Sequence, residues 1–182
     1  EVLLGDRYVD LMDAGVDVAI RIGRLTDPRL VTRRLAPCRM VVCASPAYLE
    51  RHGAPRKPED LRLAQRLAFS EAVSSGDWTL LDARNRAHVI DGPCRMTANN
   101  TQMLLAAALS GAGITYGPTF VFGDHLRRGE LVALLPGYRA ADLAIHAVYP
   151  SLQRIPRKVR RFVDYLSGTF CDEPPWDRNA RL

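Results

Sequence analysis

The residues of this sequence that could do chemistry suit anion binding better than catalysis. His52, His88, His125 and His146 are scattered, each in a different expected element. Cys38, Cys43, Cys94 and Cys171 contain no C-x-x-C pair and no nearby histidine, so neither a metal nor a cofactor is expected. There is no G-x-S-x-G elbow, no H-E-x-x-H and no phosphate loop, so no enzyme is expected either. Gly111-Ala112-Gly113 follows a helix and precedes a strand, the reverse of a dinucleotide fingerprint. What remains are cations and helix starts. Arg21 alternates away from the apolar row Val16, Val18, Ile20 and Ile22, and Arg24 follows closely. Either arginine could pair with a carboxylate, and both would serve equally well in surface salt bridges.

Ligands of open α/β sheets lie outside the carboxyl ends of parallel strands. Three loops fit that position: Gly5-Asp6-Arg7, Gly23-Arg24-Leu25 and Asn99-Asn100-Thr101. Two of them open helices, whose free backbone N–H groups favour anions. The Asn99-Asn100-Thr101 turn is the better anion site, because no acid lies in its first helical turn. The expected contacts are therefore Asp6, Arg21, Gly23, Arg24, Asn99, Asn100 and Thr101, with Tyr116 and Pro118 at the end of a later strand. Tyr116 would be an apolar wall or simply core.

The elements that must position these residues follow from periodicity. Val2-Leu3-Leu4 is expected as a short strand, Asp6 to Ala14 as a helix closed by Gly15, and Val16 to Ile22 as a strand with period-2 alternation. Strand, helix and strand in that order make a βαβ unit with a parallel sheet. Leu30 to Ala36 and Met40 to Ala44 are strands broken near Pro37, and Ser45-Pro46 starts a helix to Gly53. Arg66 to Ser70, Trp78 to Ala83, His88 to Ile90 and Arg95 to Ala98 are expected strands. A helix to Ser110, apolar nearly all round and so buried, precedes strand Ile114-Thr115-Tyr116, a helix from Thr119 to Arg128, and strands Leu131 to Leu135 and Leu143 to Tyr149.

At 47% hydrophobic and 25% charged, the 182 residues belong to an ordinary globular protein. No apolar run approaches the roughly 20 residues that cross a bilayer. The net charge of +5 is matched by five cations, Arg154, Arg157, Lys158, Arg160 and Arg161. Val159, Phe162, Val163 and Leu166 share the opposite face of that helix, so the basic face is expected to be solvated rather than bound to DNA. Ala106 to Val121 is not a helix-turn-helix, since strand residues and Gly117-Pro118 interrupt any recognition helix. The cysteine pattern suits a reduced, cytoplasmic protein.

Several segments, taken in order, resemble the LysR-type transcription regulators. They are Asp6-Arg7-Tyr8-Val9-Asp10-Leu11 with Gly15 to Gly23, then Leu35-Ala36-Pro37 with Val41 to Leu49, then Pro58-Glu59-Asp60-Leu61, and finally Asn99 to Leu109 with Gly111-Ala112-Gly113-Ile114 and Pro118. The likeness covers about residues 1 to 170. It implies an α/β fold of two Rossmann-like lobes joined by two crossing strands, similar to type II periplasmic binding proteins. Lobe I would hold residues 1–41 and 143–170 without its first strand and helix, lobe II residues 42–142, and residues 171–182 an irregular tail. The function implied is effector sensing in a transcription regulator, with a small, anionic effector bound between the lobes. The regulator would be a homodimer or homotetramer, with the helix from Asp6 to Ala14 and its neighbouring strand as the candidate contact. Promoter DNA would be reached only through a winged helix-turn-helix that this chain lacks, and no membrane is involved. A solute-binding protein or an enzyme domain of the same fold is the alternative.

Because the chain holds no recognition helix, it alone is expected not to bind operator DNA specifically. Fluorescence anisotropy at physiological salt checks this: only weak, salt-sensitive association through the Arg157–Arg161 face is expected, and nanomolar sequence-dependent binding would contradict it.

Overall fold

The computed structural model describes residues 1–5, 10–23, 27–70, 78–140, 143–151, 155–170 and 173–177. Its elements are β1 (Ala19–Ile22), β2 (Leu30–Cys38), β3 (Met40–Ala44), α1 (Pro46–His52), a 3₁₀ turn (Pro58–Arg62), β4 (Arg66–Phe69), β5 (Trp78–Leu81), β6 (Ala87–Ile90) and β7 (Met96–Ala98). They continue with α2 (Thr101–Leu109), β8 (Ile114–Pro118), α3 (Thr119–Arg127), β9 (Val132–Ala133), β10 (Arg139–Ala140), β11 (Leu143–Pro150) and α4 (Arg157–Thr169). The described residues cluster as two compact units, one of 1–5 and 40–140, the other of 10–39 and 143–177.

The 40–140 unit is layered around a five-stranded sheet in the order β7-β4-β8-β3-β9. β4 runs parallel to β7 and β8, while β3 is antiparallel to β8 and β9. Strand alternation divides its side chains between two cores. Val41, Cys43 and Leu67 meet Leu104, Leu105 and Ala108 of α2 and Phe122 and Leu126 of α3. Val42, Ala44 and Ile114 face Tyr48 of α1 and Trp78, Leu80 and Ile90 of the smaller sheet β10-β5-β6. Each fully buried Leu or Phe here contributes ~1.5–3 kcal/mol. Arg66 is buried with them. Its Nη1 donates to the carbonyl of Ile90 (2.9 Å) and its Nη2 to those of Asp91 (2.8 Å) and Gly92, and the guanidinium lies 5.5 Å from the Trp78 ring centroid.

Helix α2 is one-sided rather than buried all round: Leu104, Leu105 and Ala108 are buried, but Met103 is 55% exposed. Ala106 and Ala107 lie outside the buried face, and alanines are apolar without needing burial. The strand expected from Leu131 to Leu135 is only Val132–Ala133, because Leu135 takes φ 57° and turns the chain. β10 gives no sequence signal at two residues.

The other unit differs from expectation in its pairing. Its sheet, β1-β11-β2, is antiparallel throughout, so the expected parallel βαβ unit is not formed by the described residues. Val2, Leu3 and Leu4 form no strand and are 81%, 70% and 94% exposed, since a strand exists only where a neighbour pairs with it. Of the expected helix from Asp6, residues 6–9 lie outside the described residues. Residues 11–15 are turns, where the Asp10 carboxylate accepts from the Met12 amide (2.9 Å) and competes with helical bonding. The break between β2 and β3 falls at Arg39, not Pro37, whose missing N–H is tolerated within the ladder to β11. α4 buries Val159 and Val163. It ties back through Lys158 to Asp17 (2.5 Å) and Asp164 to Arg33 (2.9 Å).

Gly113 is required by close packing. A Cβ there would overlap the carbonyl oxygen of Gln65 at the entry to β4. Gly113→Ala is expected to cost about 2 kcal/mol, read as a lower urea midpoint. Gly137→Ala, with open space around its Cβ, is expected to stay within about 0.5 kcal/mol.

Candidate functional site

The expected site residues fall into both units. Arg21 and Gly23 end β1, with the Gly23 amide donating to the carbonyl of Ala144 (3.3 Å). That end belongs to an antiparallel strand, so the argument from parallel strand termini does not apply to it. Asp6 and Arg24 lie outside the described residues. Asn99, Asn100, Thr101, Tyr116 and Pro118 belong to the 40–140 unit, where the topology brings most of them to one place.

That place is the carboxyl edge of the parallel trio β7-β4-β8. In register, Ala98 pairs with Phe69 and Thr115 with Leu67, so all three strands end on the same side. Two helices start there. α2 opens at Thr101 directly after β7, and α3 opens at Thr119 directly after β8. Between them is the end of β4, where the Ser70 amide donates to the carbonyl of Ala98 (2.9 Å). Each helix start carries backbone N–H groups without intrahelical acceptors and the positive end of a helix dipole. Neither first turn contains an acid. Two such termini on one sheet edge gather the positive ends of two helix dipoles there.

The α2 start is capped rather than open. Asn100 has an extended backbone (φ −138°, ψ 122°), and its Oδ1 accepts from the Met103 amide (3.0 Å). The cap takes one of the orphan amides and fixes the direction of the others. Asn99 and Asn100 are exposed and Thr101 half-buried, as a contact surface requires. At the second terminus, Pro118 is the cap residue and Thr119 is buried. The sequence placed Pro118 among the expected contacts and a helix from Thr119, and the helix is there; Thr119 and Ser70 are the edge residues it did not name as contacts. A strand followed by Pro at the helix entry is the signal that could have found them. Gly117 allows the approach, since a Cβ there would run into the Phe122 ring.

Tyr116 is core. It stands on the sheet face opposite α2 and α3 and packs against Trp78, with ring centroids 5.6 Å apart. The thiols of Cys43 and Cys38 are held protonated: burial pushes Cys43 up to about 12, and burial with the Asp177 carboxylate does the same to Cys38. His88 and His125 face the carboxylates of Glu59 (3.3 Å) and Glu130 (2.6 Å). Among the described residues, no group of three or more His, Cys, Asp or Glu could hold a metal ion. No described helix is long and apolar enough to cross a membrane.

The chain is similar in sequence and fold to known proteins. The LysR substrate binding domain family matches residues 1–170. An uncharacterised HTH-type transcriptional regulator of Haemophilus influenzae is 35% identical over 160 residues, which span 87% of this chain and 55% of that protein. The regulatory domain of CrgA, a LysR-type transcriptional regulator from Neisseria meningitidis, superposes with a TM-score of 0.78 at 32% identity, covering 91% of this chain and 80% of that one. Full-length AphB, a Vibrio cholerae virulence activator, gives 0.80 at 26% identity, covering 94% and 58%. The chain thus spans about half the length of the curated relatives it matches, and those relatives are named transcriptional regulators, not enzymes. The fold is the type II periplasmic-binding-like α/β fold of LysR-type regulatory domains, and this chain belongs to the LysR substrate-binding domain family.

Proposed function

We propose that this chain is the effector-sensing domain of a LysR-type transcription regulator, and that its effector is a small organic anion received at the carboxyl edge of β7, β4 and β8. The carrying observation is the pair of acid-free helix starts, at Asn100-Thr101 and at Pro118-Thr119, on one sheet edge. A carboxylate there gains backbone N–H contacts in the field of two helix dipoles. Hydrogen bonds to a charged group contribute about 1.5–3 kcal/mol each when desolvated. In the whole regulator this binding event biases the conformation of the domain, and the change reaches promoter DNA through the DNA-binding segment of a homodimer or homotetramer.

Calorimetry of the full regulator against carboxylates, aromatic acids and neutral analogues tests the reading. Saturable binding confined to anions is expected, whereas a ligand set of neutral or cationic molecules would remove the argument.

A single substitution then separates site from scaffold. Asp caps a helix as well as Asn does, so Asn100→Asp should leave the denaturation midpoint unchanged. The added carboxylate should repel the effector and weaken its affinity about tenfold, or ~1.4 kcal/mol. Asn100→Ala, which loses the cap, should instead cost about 1 kcal/mol of stability. Unchanged affinity in Asn100→Asp for a ligand already shown to bind would place the pocket elsewhere.

A further inference from the structure

The segment between β6 and β7 carries a reactive pair that neither the fold nor the effector reading uses. Asp91-Gly92 is the only Asp-Gly or Asn-Gly in the sequence. An aspartate followed by glycine is the pair most open to internal imide formation, because glycine has no side chain to obstruct its own nitrogen. Both residues are exposed and lie outside helix and strand. Gly92 takes φ 98°, a backbone that other residues resist.

The structure presents both reacting groups. The nucleophile is the Gly92 nitrogen, and among the described residues none accepts a hydrogen bond from its amide. The Asp91 carbonyl oxygen belongs to the same peptide group, and it accepts from Arg66 Nη2 (2.8 Å). A cation on that oxygen stabilises the anion formed when the nitrogen gives up its proton. The electrophile is the Asp91 carboxyl, which is 64% exposed and pairs with the half-exposed Arg62 through Nε (3.0 Å). A surface pair of this kind contributes at most about 1 kcal/mol, so it does not lock the side chain away from its neighbour.

The reaction needs only water. The Gly92 nitrogen attacks Cγ of the protonated carboxyl, an N–Cγ bond forms, and the amide proton leaves with the carboxyl hydroxyl as one water. Water then opens the imide, and nothing is oxidised or reduced. Cleavage of the bond from nitrogen to the original main-chain carbonyl carbon gives isoaspartate, whose chain runs through Cγ. The new carboxylate is the former main-chain carbonyl of residue 91, whose oxygen already meets Arg66. The former side-chain carboxyl is now an amide and no longer pairs with Arg62. A buried guanidinium solvated by neutral carbonyls thereby acquires a counter-ion.

We propose that Asp91-Gly92 isomerises spontaneously in the folded protein, and that the reaction moves the charge of residue 91 from Arg62 at the surface to the buried Arg66. The site does not depend on the effector reading, which concerns the edge where α2 and α3 begin.

The test ages the full chain at physiological temperature and neutral pH, in buffer and in urea that unfolds it. Digestion and electron-transfer mass spectrometry then locate isoaspartate. In buffer it is expected at residue 91 about tenfold faster than at the exposed Asp13, which Ala14 follows, or ~1.4 kcal/mol in the barrier. The rate in buffer should equal or exceed the rate in urea. Asp91→Glu, whose ring would have six members, should abolish the product without altering the backbone. In the purified isoaspartyl form, followed by NMR of labelled arginine, the Arg62 guanidinium signals should take the position they hold in Asp91→Ala. Those of Arg66 should shift further than Asp91→Ala shifts them. The proposal is overturned if residue 91 reacts no faster than Asp13, if folding slows the reaction below its rate in urea, if Asp91→Glu leaves the product in that peptide, or if the Arg66 signals stay in place.

Discussion

The 40–140 unit depends on how one buried charge is solvated. Arg66 lies at the start of β4, the strand that joins β7 to β8, and its guanidinium is closed off from water. A cation in that position needs several kcal/mol of replacement solvation. It obtains this from the carbonyls of Ile90, Asp91 and Gly92 and from the face of Trp78. Those partners belong to the smaller sheet and to the segment that leads into β7, and the Arg95 amide returns a bond to the Arg66 carbonyl (2.9 Å). One side chain thus fastens the small sheet to the large one and sets the path by which the chain arrives at Asn99. A hydrophobic residue of similar size would fill the space without specifying that path.

The edge that follows is a product of strand direction more than of any single residue. Parallel strands must be joined by crossovers, so β7 and β8 each deliver the chain to a helix at the same end of the sheet. Two helix dipoles then point where the strands stop. Glycines at 113 and 117 permit the close approaches on which this rests, one against the backbone of Gln65 and the other against Phe122. Among the described residues of the edge, Ser70, Asn99, Asn100, Thr101 and Thr119 carry small, neutral side chains and add no charge to the field of the backbone.

Much of this was legible in the sequence because the information is local. The alternation Val42/Ala44 against Val41/Cys43, the Ser45-Pro46 entry to α1 and the Asn100-Thr101 entry to α2 are patterns of a few residues, and each element stands within a few residues of its expected place. Pairing was not legible. Whether β1 runs parallel or antiparallel depends on β11, more than 120 residues away, and Val16 to Ile22 contains nothing that reports its partner. The bulge at Leu35 was equally hidden: Leu30 to Ala36 reads as one strand, and only the count against β11 shows that a residue is skipped. The face on which Tyr116 stands was hidden for a related reason, since a strand shows which residues alternate but not which face a helix will cover.

The position of β11 also governs the order in which the protein can be made. β1 and β2 are neighbours along the chain yet never touch in the sheet, because β11 separates them. As the polypeptide leaves the ribosome, these two strands emerge early and find no partner. The whole 40–140 unit, whose pairings lie within itself, follows and can fold first. Only then does β11 appear and slot between two waiting edges. Closing so long a loop costs little more than closing a short one, because the penalty grows only logarithmically with length, and a prefolded insert brings the ends closer still. Until that moment β1 and β2 expose unpaired backbone, which makes the interval before β11 is synthesised the period of greatest exposure to misassembly and to chaperones.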